Sequence, residues 1–281
     1  ALQNQLNYSK ETLEKLFTAE VHKNKKILLQ VKKLNDQDIG FKNWIDSLPF
    51  PIGSILLLYY TSGNKDEKIS FLLSFFEAYS EFLCVILLSC ISQDHKYLLS
   101  NKHNWVTRKK WIEKSDFGGW VRLLDGLRKF ISNELKSEGK RKEKVYQILG
   151  TKDDLFINFI TNGQIIDILE LANQKRNDWK AHDGLHDQND SRLNQLESLL
   201  NNFRKKAGYL FDEFKLIKPG ANIYQDGIYY YKECLNLVGG SSPFKKINLN
   251  SQIALDNNRL YFQFESNLKP IKLLPFITYD E

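Results

Sequence analysis

The stretch Phe71 to Ser92, with the sequence FLLSFFEAYSEFLCVILLSCIS, decides the fold of this chain. It is long enough to cross a membrane, but Glu77 and Glu81 fall in its middle, and uncompensated charges there are costly in lipid. The run from Ile69 to Ile91 therefore predicts the central core helix of a helical bundle, and no membrane partner is expected.

Glu77 and Glu81 are four positions apart and so share one face of this helix. Carboxylates on an otherwise apolar helix require a partner, because burying an unpaired charge is costly. The candidate partners are Arg176, Lys180 and His182. In the alternative interpretation, the stripe faces solvent at the edge of the bundle.

Apolar residues recur at helical spacing in further segments on both sides of the core helix. The predicted helices cover residues 9–33, 52–60, 120–135, 153–160, 163–181 and 191–214. The composition changes at Pro219-Gly220. Short β-type runs follow, separated by Gly, Pro and Asn. They cover residues 228–231, 236–238, 244–249, 260–264 and 271–277.

The predicted fold is therefore mainly α, a helical bundle followed by a small antiparallel β-rich C-terminal domain. We place the helical domain at residues 1–215 and the β-rich domain at residues 216–281.

Composition bounds the function only loosely. The 281 residues are 42% hydrophobic and 26% charged, which is typical of a globular protein. The formal charge of +6 is compatible with nucleic-acid binding but does not by itself indicate it. The three cysteines fit no zinc spacing, and the polar N-terminus lacks the form of a signal peptide, so we expect a cytoplasmic protein. The absence of any Met indicates a piece of a larger protein.

The candidate site is the stretch Arg176 to Gly184, with the sequence RNDWKAHDG, at the end of a predicted helix. An Arg can hold a phosphate, and a His can move a proton near neutral pH. Arg176 and His182 are six positions apart, which leaves them roughly 120° apart on an ideal helix. They converge if the Arg reaches around, if the helix ends between them, or if a second copy of the chain completes the site.

Other chemistries find little support in the sequence. There is no phosphate-binding glycine loop, no dinucleotide-binding glycine motif and no zinc-protease motif. His182 and His186 could bind a metal from one helical face, but Gly184 between them makes a continuous helix doubtful. We expect no metal and no cofactor.

The Arg-to-His stretch resembles the motif of the HEPN superfamily, in which an Arg and a polar residue precede a His at the end of a helix. Arg176, Asn177 and His182 match this pattern. The runs Leu48-Pro49-Phe50-Pro51 and Phe75-Phe76-Glu77-Ala78 resemble a module of bacterial restriction and phage-defence proteins. The resemblance extends from about residue 40 to the end, and Ala181 and Asp183 depart from it where glycines are commoner.

The resemblance implies a helical bundle that dimerises and a metal-independent endoribonuclease that cuts RNA. His182 would be the general acid or base, Arg176 would neutralise the scissile phosphate, and Asn177 would position the phosphate or the His. The supporting residues of the expected site are Glu77, Glu81, Trp179 and Lys180.

The alternative is a non-catalytic dimerisation, sensing or protein-interaction module of a larger restriction-modification or NTPase defence protein. Arg176 and Lys180 would then complement the negative end of the helix, Trp179 would anchor the core, and His182 would cap the last carbonyls. If the protein is an enzyme, we expect Arg176 and His182 to be accessible in one basic cleft. If it is a structural module, we expect His182 to be buried, or Arg176 to be bound to Glu77 or Glu81 without a cleft.

A third interpretation concerns the β-rich tail, where Tyr229, Tyr230, Tyr231 and Lys232 could stack on the bases of DNA. Consecutive residues of a strand alternate between its faces, so one or two of these tyrosines belong to the core. The sequence alone favours a protein-docking role for this tail.

Overall fold

A computed structural model describes residues 40–104, 116–152, 154–181, 189–212, 214–264 and 269–274. Within these ranges, nine α-helices precede an antiparallel sheet, which confirms the predicted fold class. The helices are α1 (Gly40–Ser47), α2 (Phe50–Thr61), α3 (Lys65–Ser92), α4 (His95–Asn101), α5 (Phe117–Lys136), α6 (Lys140–Leu149), α7 (Asp154–Thr161), α8 (Gln164–Ala181) and α9 (Asn189–Ala207). Six of the nine helices correspond to predicted ones, and α1, α4 and α6 were not predicted. A short 3₁₀ turn, Lys102–Asn104, follows α4. The helix predicted for residues 9–33 lies outside the described residues.

Helix α3 is the centre of the bundle and contacts α2, α5, α8 and α9. It begins four residues earlier than predicted because Asn64 Oδ1 caps it, accepting hydrogen bonds from the N–H groups of Asp66 and Glu67. By length and composition α3 could cross a membrane, and no other helix in the described part of the chain could. However, 61% of its apolar 18-residue stretch is buried inside the protein, as expected of a core helix.

The core around α3 is aromatic. Phe203 of α9 is fully buried and meets three rings of α3 edge to face. Its ring centroid lies 5.7 Å from that of Phe75, 5.9 Å from that of Phe76 and 4.6 Å from that of Tyr79. Such edge-to-face pairs stabilise a core beyond their buried area. They fix α9 against the central helix.

The sheet contains six strands. These are β1 (Phe214–Lys218), β2 (Ala221–Gln225), β3 (Ile228–Asn236), β4 (Lys245–Ser251), β5 (Tyr261–Phe264) and β6 (Ile271–Lys272). The order is β2-β3-β1-β5-β6, and β4 pairs with β3. Strands β2 and β3 form a hairpin with positive φ angles at Asp226 (50°) and Gly227 (82°), as a tight two-residue turn requires.

The structure corrects two sequence-based boundaries. The predicted helix 191–214 ends at Ala207, and Phe214 instead begins β1, where it pairs with Phe264. Strand β3 is continuous from Ile228 to Asn236, where the sequence pattern indicated two separate runs. A register shift between Tyr231 and Cys234 interrupts its alternation and hides the strand from a period-two pattern.

The described residues from Ile45 onward belong to one compact unit. Within this unit, the sheet packs on the helices. Phe156 of α7 lies 5.3 Å from Phe214 and 5.0 Å from Phe264, measured between ring centroids. The N–H of Phe50 donates to the carbonyl of Leu237 at 2.9 Å. The predicted domain boundary at residue 215 falls inside β1, and the division into two domains stays a prediction.

Helix α2 and the loop after β3 also contact each other, and this contact requires a glycine. A Cβ added to Gly53 of α2 would lie 2.8 Å from the carbonyl oxygen of Gly239, in the loop after β3. Gly239 itself has φ of 110°, which disfavours any larger side chain. The two backbones can approach this closely because Gly53 carries no side chain, whereas Gly239 is favoured by its positive φ.

Candidate functional site at the end of α8

The candidate site lies where the last turns of α8 cross α3 and the beginning of α5. Helix α8 carries Arg176, Asn177, Trp179 and Lys180, and α3 carries Glu77 and Glu81. Both helices contact α5. The described part of the site is thus built from three helices of one bundle.

Arg176 is held by a carboxylate and an aromatic ring. Its Nη1 lies 3.4 Å from Oε2 of Glu77. Its guanidinium carbon lies 5.9 Å from the centroid of the fully buried Phe117 ring, a cation–π distance. The side chains of Arg176 and Glu77 are 24% and 29% exposed. The guanidinium is therefore oriented by its neighbours but still reaches solvent.

Glu81 lies one turn further along α3, and no ion pair joins it to Arg176 in the described structure. Burial, with a smaller contribution from the Glu77 carboxylate, raises the pKa of Glu81 above its usual range. Three partners were suggested by the sequence for the two carboxylates, and two of them, Arg176 and Lys180, are described. Of these two, Arg176 forms the ion pair with Glu77. The two glutamates therefore have different environments although they share one helical face.

The beginning of α5 adds residues that the sequence did not single out. Asp116 caps this helix by accepting a hydrogen bond from the N–H of Gly119 at 2.6 Å. A Cβ added to Gly118 would lie 3.1 Å from Asn173 Nδ2 and 3.5 Å from Arg122 Nη1. Asn173 and Arg122 thus surround the same helix terminus that places Phe117 against Arg176.

One of these residues was within reach of sequence reasoning. Asn173 precedes Arg176 by three positions, so helical spacing puts both on one face. Phe117 and Arg122 carried no such signal, because only the packing of α5 against α8 brings them near the motif.

The other residues of the motif face outward or toward α9. Asn177 and Lys180 are exposed, and Trp179 is half-buried. The guanidinium carbon of Arg192 lies 5.4 Å from the Trp179 ring. Trp179 therefore links α8 to α9 by a cation–π contact instead of anchoring the deep core. Asn177 lies directly beside Arg176 in the chain and is accessible to a ligand.

His182 lies outside the described residues, in the segment 182–188 that joins α8 to α9, and so does His186. The structure accordingly gives Arg176 and Asn177 their positions, and the meeting of Arg176 with His182 stays a prediction.

Among the described residues there is no candidate metal site and no accessible cysteine thiol. No group of three or more His, Cys, Asp or Glu side chains there could hold a metal ion. Cys84, Cys90 and Cys234 are buried, and burial raises the pKa of each, that of Cys90 to about 12. A thiol with a raised pKa is a poor nucleophile near neutral pH.

The described geometry leaves the Arg176 side chain partly accessible, and an accessible arginine can donate paired hydrogen bonds to phosphate. No family model, no curated protein and no solved structure matches the chain.

Proposed function

We propose that this protein is a metal-independent endoribonuclease that uses Arg176, Asn177 and His182. The observation that supports it most is the setting of Arg176, which is oriented by Glu77 and Phe117, partly exposed, and followed by the exposed Asn177. A guanidinium placed in advance can stabilise charge that grows on a phosphate without reorganising during the reaction.

The contact with Glu77 leaves Arg176 able to take part. A guanidinium has five N–H donors in a planar fork, and the carboxylate approaches Nη1 at 3.4 Å, which is long for a hydrogen bond. A scissile phosphate could occupy the exposed side of the fork while Glu77 holds the other side. In this role Glu77 is a positioning residue.

His182 would supply the proton transfers. As general base it takes the proton of the ribose 2′-hydroxyl, whose oxygen attacks the phosphorus. The bond from phosphorus to the 5′-oxygen breaks, and that oxygen receives the proton that the protonated imidazole of His182 gives up. The products are a 2′,3′-cyclic phosphate and a 5′-hydroxyl. Because the nucleophile belongs to the RNA itself, the reaction needs no metal-activated water.

The site as a whole would be completed by two copies of the chain, which removes the angular separation of Arg176 and His182 on a single helix. The exposed Lys180 would add attraction for the RNA backbone. We further propose that the protein is cytoplasmic. In this proposal the chain is one part of a larger bacterial defence protein, and the other domains of that protein restrain the nuclease.

The test is incubation of the purified chain with mixed tRNA and mRNA in EDTA. Wild type and His186→Ala should cleave and leave cyclic-phosphate ends, whereas His182→Ala and Arg176→Ala should lose at least about 100-fold in rate. His186 is the matched control, since it lies in the same segment but outside the motif. Cleavage by His182→Ala at the wild-type rate would overturn the assignment.

A non-catalytic interaction module is the second candidate, and the Arg176–Glu77 ion pair itself favours it. In that case Arg176 serves to join α8 to α3. Arg176→Ala would then lower the melting temperature or the dimer affinity in sedimentation, and wild type would leave RNA intact. RNA cleavage lost in Arg176→Ala with an unchanged melting temperature would exclude this candidate.

A further inference from the structure

The strands β2, β3 and β4 present an exposed face that the proposed catalytic site does not use. Ile223, Tyr230 and Asn250 are directly opposite one another in the register of these strands. Strand alternation along β4 places Asn248 on the same side. Lys232 joins them because its pairing with Ala221 of β2 keeps the register of Tyr230 with Ile223, and the shift against β4 comes after Tyr231. We call these five residues the stacking face.

The opposite side of the same strands is the core of the sheet. Tyr231 and Leu249, the neighbours of Tyr230 and Asn250 in the chain, are only 1% and 5% exposed. The N–H of Leu255 also donates to Tyr231 Oη at 2.6 Å. Since the core side is filled, Tyr230 and its neighbours must face outward. All five residues of the stacking face are exposed.

The composition of this face departs from an ordinary solvated sheet. Outward residues of a one-sided antiparallel sheet are normally polar. Here Tyr230, 37% exposed, and Ile223, 56% exposed, form an apolar centre. Asn248 and Asn250 border it with amides that both donate and accept hydrogen bonds, and Lys232 adds a cation. An aromatic platform edged by amides and a cation suits a base, a sugar and a phosphate.

The surrounding charge favours a polyanion. Residues 214–281 include eight Lys or Arg and six Asp or Glu. The cations are Lys215, Lys218, Lys232, Lys245, Lys246, Arg259, Lys269 and Lys272, and the anions are Asp226, Glu233, Asp256, Glu265, Asp280 and Glu281. Two ion pairs join cations to anions, Lys246 to Glu233 at 3.0 Å and Lys272 to Asp256 at 3.8 Å. The net positive charge, with Lys232 on the face itself, favours nucleic acid over an acidic or neutral surface as its ligand.

We propose that the stacking face binds single-stranded RNA, with a base stacked on Tyr230, a backbone phosphate beside Lys232, and the amides of Asn248 and Asn250 on base edges or 2′-hydroxyls. RNA as the ligand rests on the proposed function. The face then captures the strand that the helical site cuts. It binds single strands because a base within a duplex offers no open face to an aromatic ring.

The binding experiment uses the full chain carrying His182→Ala and a labelled single-stranded RNA of about ten nucleotides. Adding Tyr230→Ala should weaken binding roughly tenfold or more, and Tyr230→Phe, which keeps the ring, should retain it. Tyr224→Ala is the matched control, because Tyr224 is a 61% exposed tyrosine of the same hairpin on its opposite face. Tyr224→Ala should bind as the parent does.

A second measurement isolates the cation. Lys232→Gln should reduce the slope of the logarithm of affinity against the logarithm of salt concentration by about 0.7, as expected for one lost phosphate contact on a single strand. Equal binding by Tyr230→Ala and Tyr224→Ala would overturn the proposal. So would binding of duplex RNA or of single-stranded DNA as tightly as the RNA strand. A changed sedimentation coefficient in Tyr230→Ala with unchanged RNA binding would instead identify a protein contact.

The two proposals fail separately. If the His182→Ala chain binds RNA through Tyr230 but wild type never cuts RNA, the nuclease assignment is wrong and the stacking face stands. If wild type cuts RNA but Tyr230→Ala binds it normally, only the stacking face is wrong.

Discussion

The end of α8 and the stacking face differ in how they present side chains to a ligand. At α8 a single cation is held in place by Glu77 and Phe117 and reaches solvent with about a quarter of its surface. On the sheet, Tyr230 and Ile223 lie on the outward side of paired strands and are 37% and 56% exposed. A group that must stabilise a particular charge gains from fixed orientation. A surface that must accept many bases gains from open, shape-tolerant contacts.

The same difference should appear in stability. Side chains that hold the bundle together are expected to cost much when truncated, whereas those of the stacking face should cost little, because truncating them leaves no cavity. Comparisons between matched residues of the two regions can break or sharpen this distinction.

The largest effect is expected from the aromatic core. Phe203→Ala removes a fully buried ring that meets three others, and should lower the free energy of unfolding by about 3–5 kcal/mol. Ile223→Ala, on the stacking face, should change it by less than about 0.5 kcal/mol. Urea denaturation of both variants measures the contrast. Similar losses for the two would show that the face is part of a core.

Next comes a buried carboxylate. Glu134 of α5 is only 5% exposed, pairs with Arg141, and accepts a hydrogen bond from Tyr97 Oη at 3.3 Å. Glu134→Gln should cost about 1–3 kcal/mol, because Arg141 and Tyr97 lose a charged acceptor and the buried amide that replaces it pairs with them less well. The matched change in the sheet is Glu233→Gln, whose side chain is 72% exposed beside Lys246, and about 0–0.5 kcal/mol is expected. Equal melting temperatures for the two variants would contradict the contrast.

The Arg176–Glu77 pair should fall between these two. Its partners are about a quarter exposed, so solvent screens the charges and the coupling should be about 0.5–1 kcal/mol. A double-mutant cycle with Glu77→Gln and Arg176→Gln measures this coupling by chemical denaturation. A coupling of several kcal/mol would mean that the pair is a structural element of the bundle, as the non-catalytic alternative requires.

The smallest effect concerns pH. Because the pKa of Glu81 is raised, the folded protein holds this proton more tightly than the unfolded chain does. The resulting stabilisation is present below the unfolded pKa of about 4.3 and is lost as pH rises through the folded value. The stability of Glu81→Gln minus that of wild type should therefore be more favourable at about pH 7, where wild type buries a charge, than at about pH 4.

Melting temperatures at the two pH values check this expectation. The exposed Glu170→Gln on α8 serves as the control, and its difference from wild type should stay nearly constant. A constant difference for Glu81→Gln as well would show that Glu81 is solvated in the folded protein.

Much of the architecture was readable from local pattern. The apolar run of α3 predicted a core helix, and the change of composition at Pro219-Gly220 predicted a β-rich end. The errors fall where one residue changes the geometry. The cap at Asn64 extended α3, and the register shift after Tyr231 joined two runs into β3. Neither feature changes hydrophobic periodicity, so a pattern count misses both.

The candidate site divides in the same way. Local spacing placed Glu77 and Glu81 on one face, and charge indicated Arg176, Lys180 and His182 as candidate partners. The sequence did not indicate Phe117 or Arg122, because their place near α8 depends on how α5 packs against it. Nor did it indicate which of Tyr229, Tyr230 and Tyr231 would be exposed, which depends on the pairing register of β3 with β4.

By itself, the sequence determined six of the nine described helices, the position of the β-rich end and the residue types of the motif, because helix formation and amphipathicity depend on neighbours within a few positions. The tertiary structure alone decided that Arg176 meets Glu77 and Phe117, and that Tyr231 is buried while Tyr230 faces outward. These outcomes join residues far apart in the chain, and their energies exist only once the helices pack and the strands select a register.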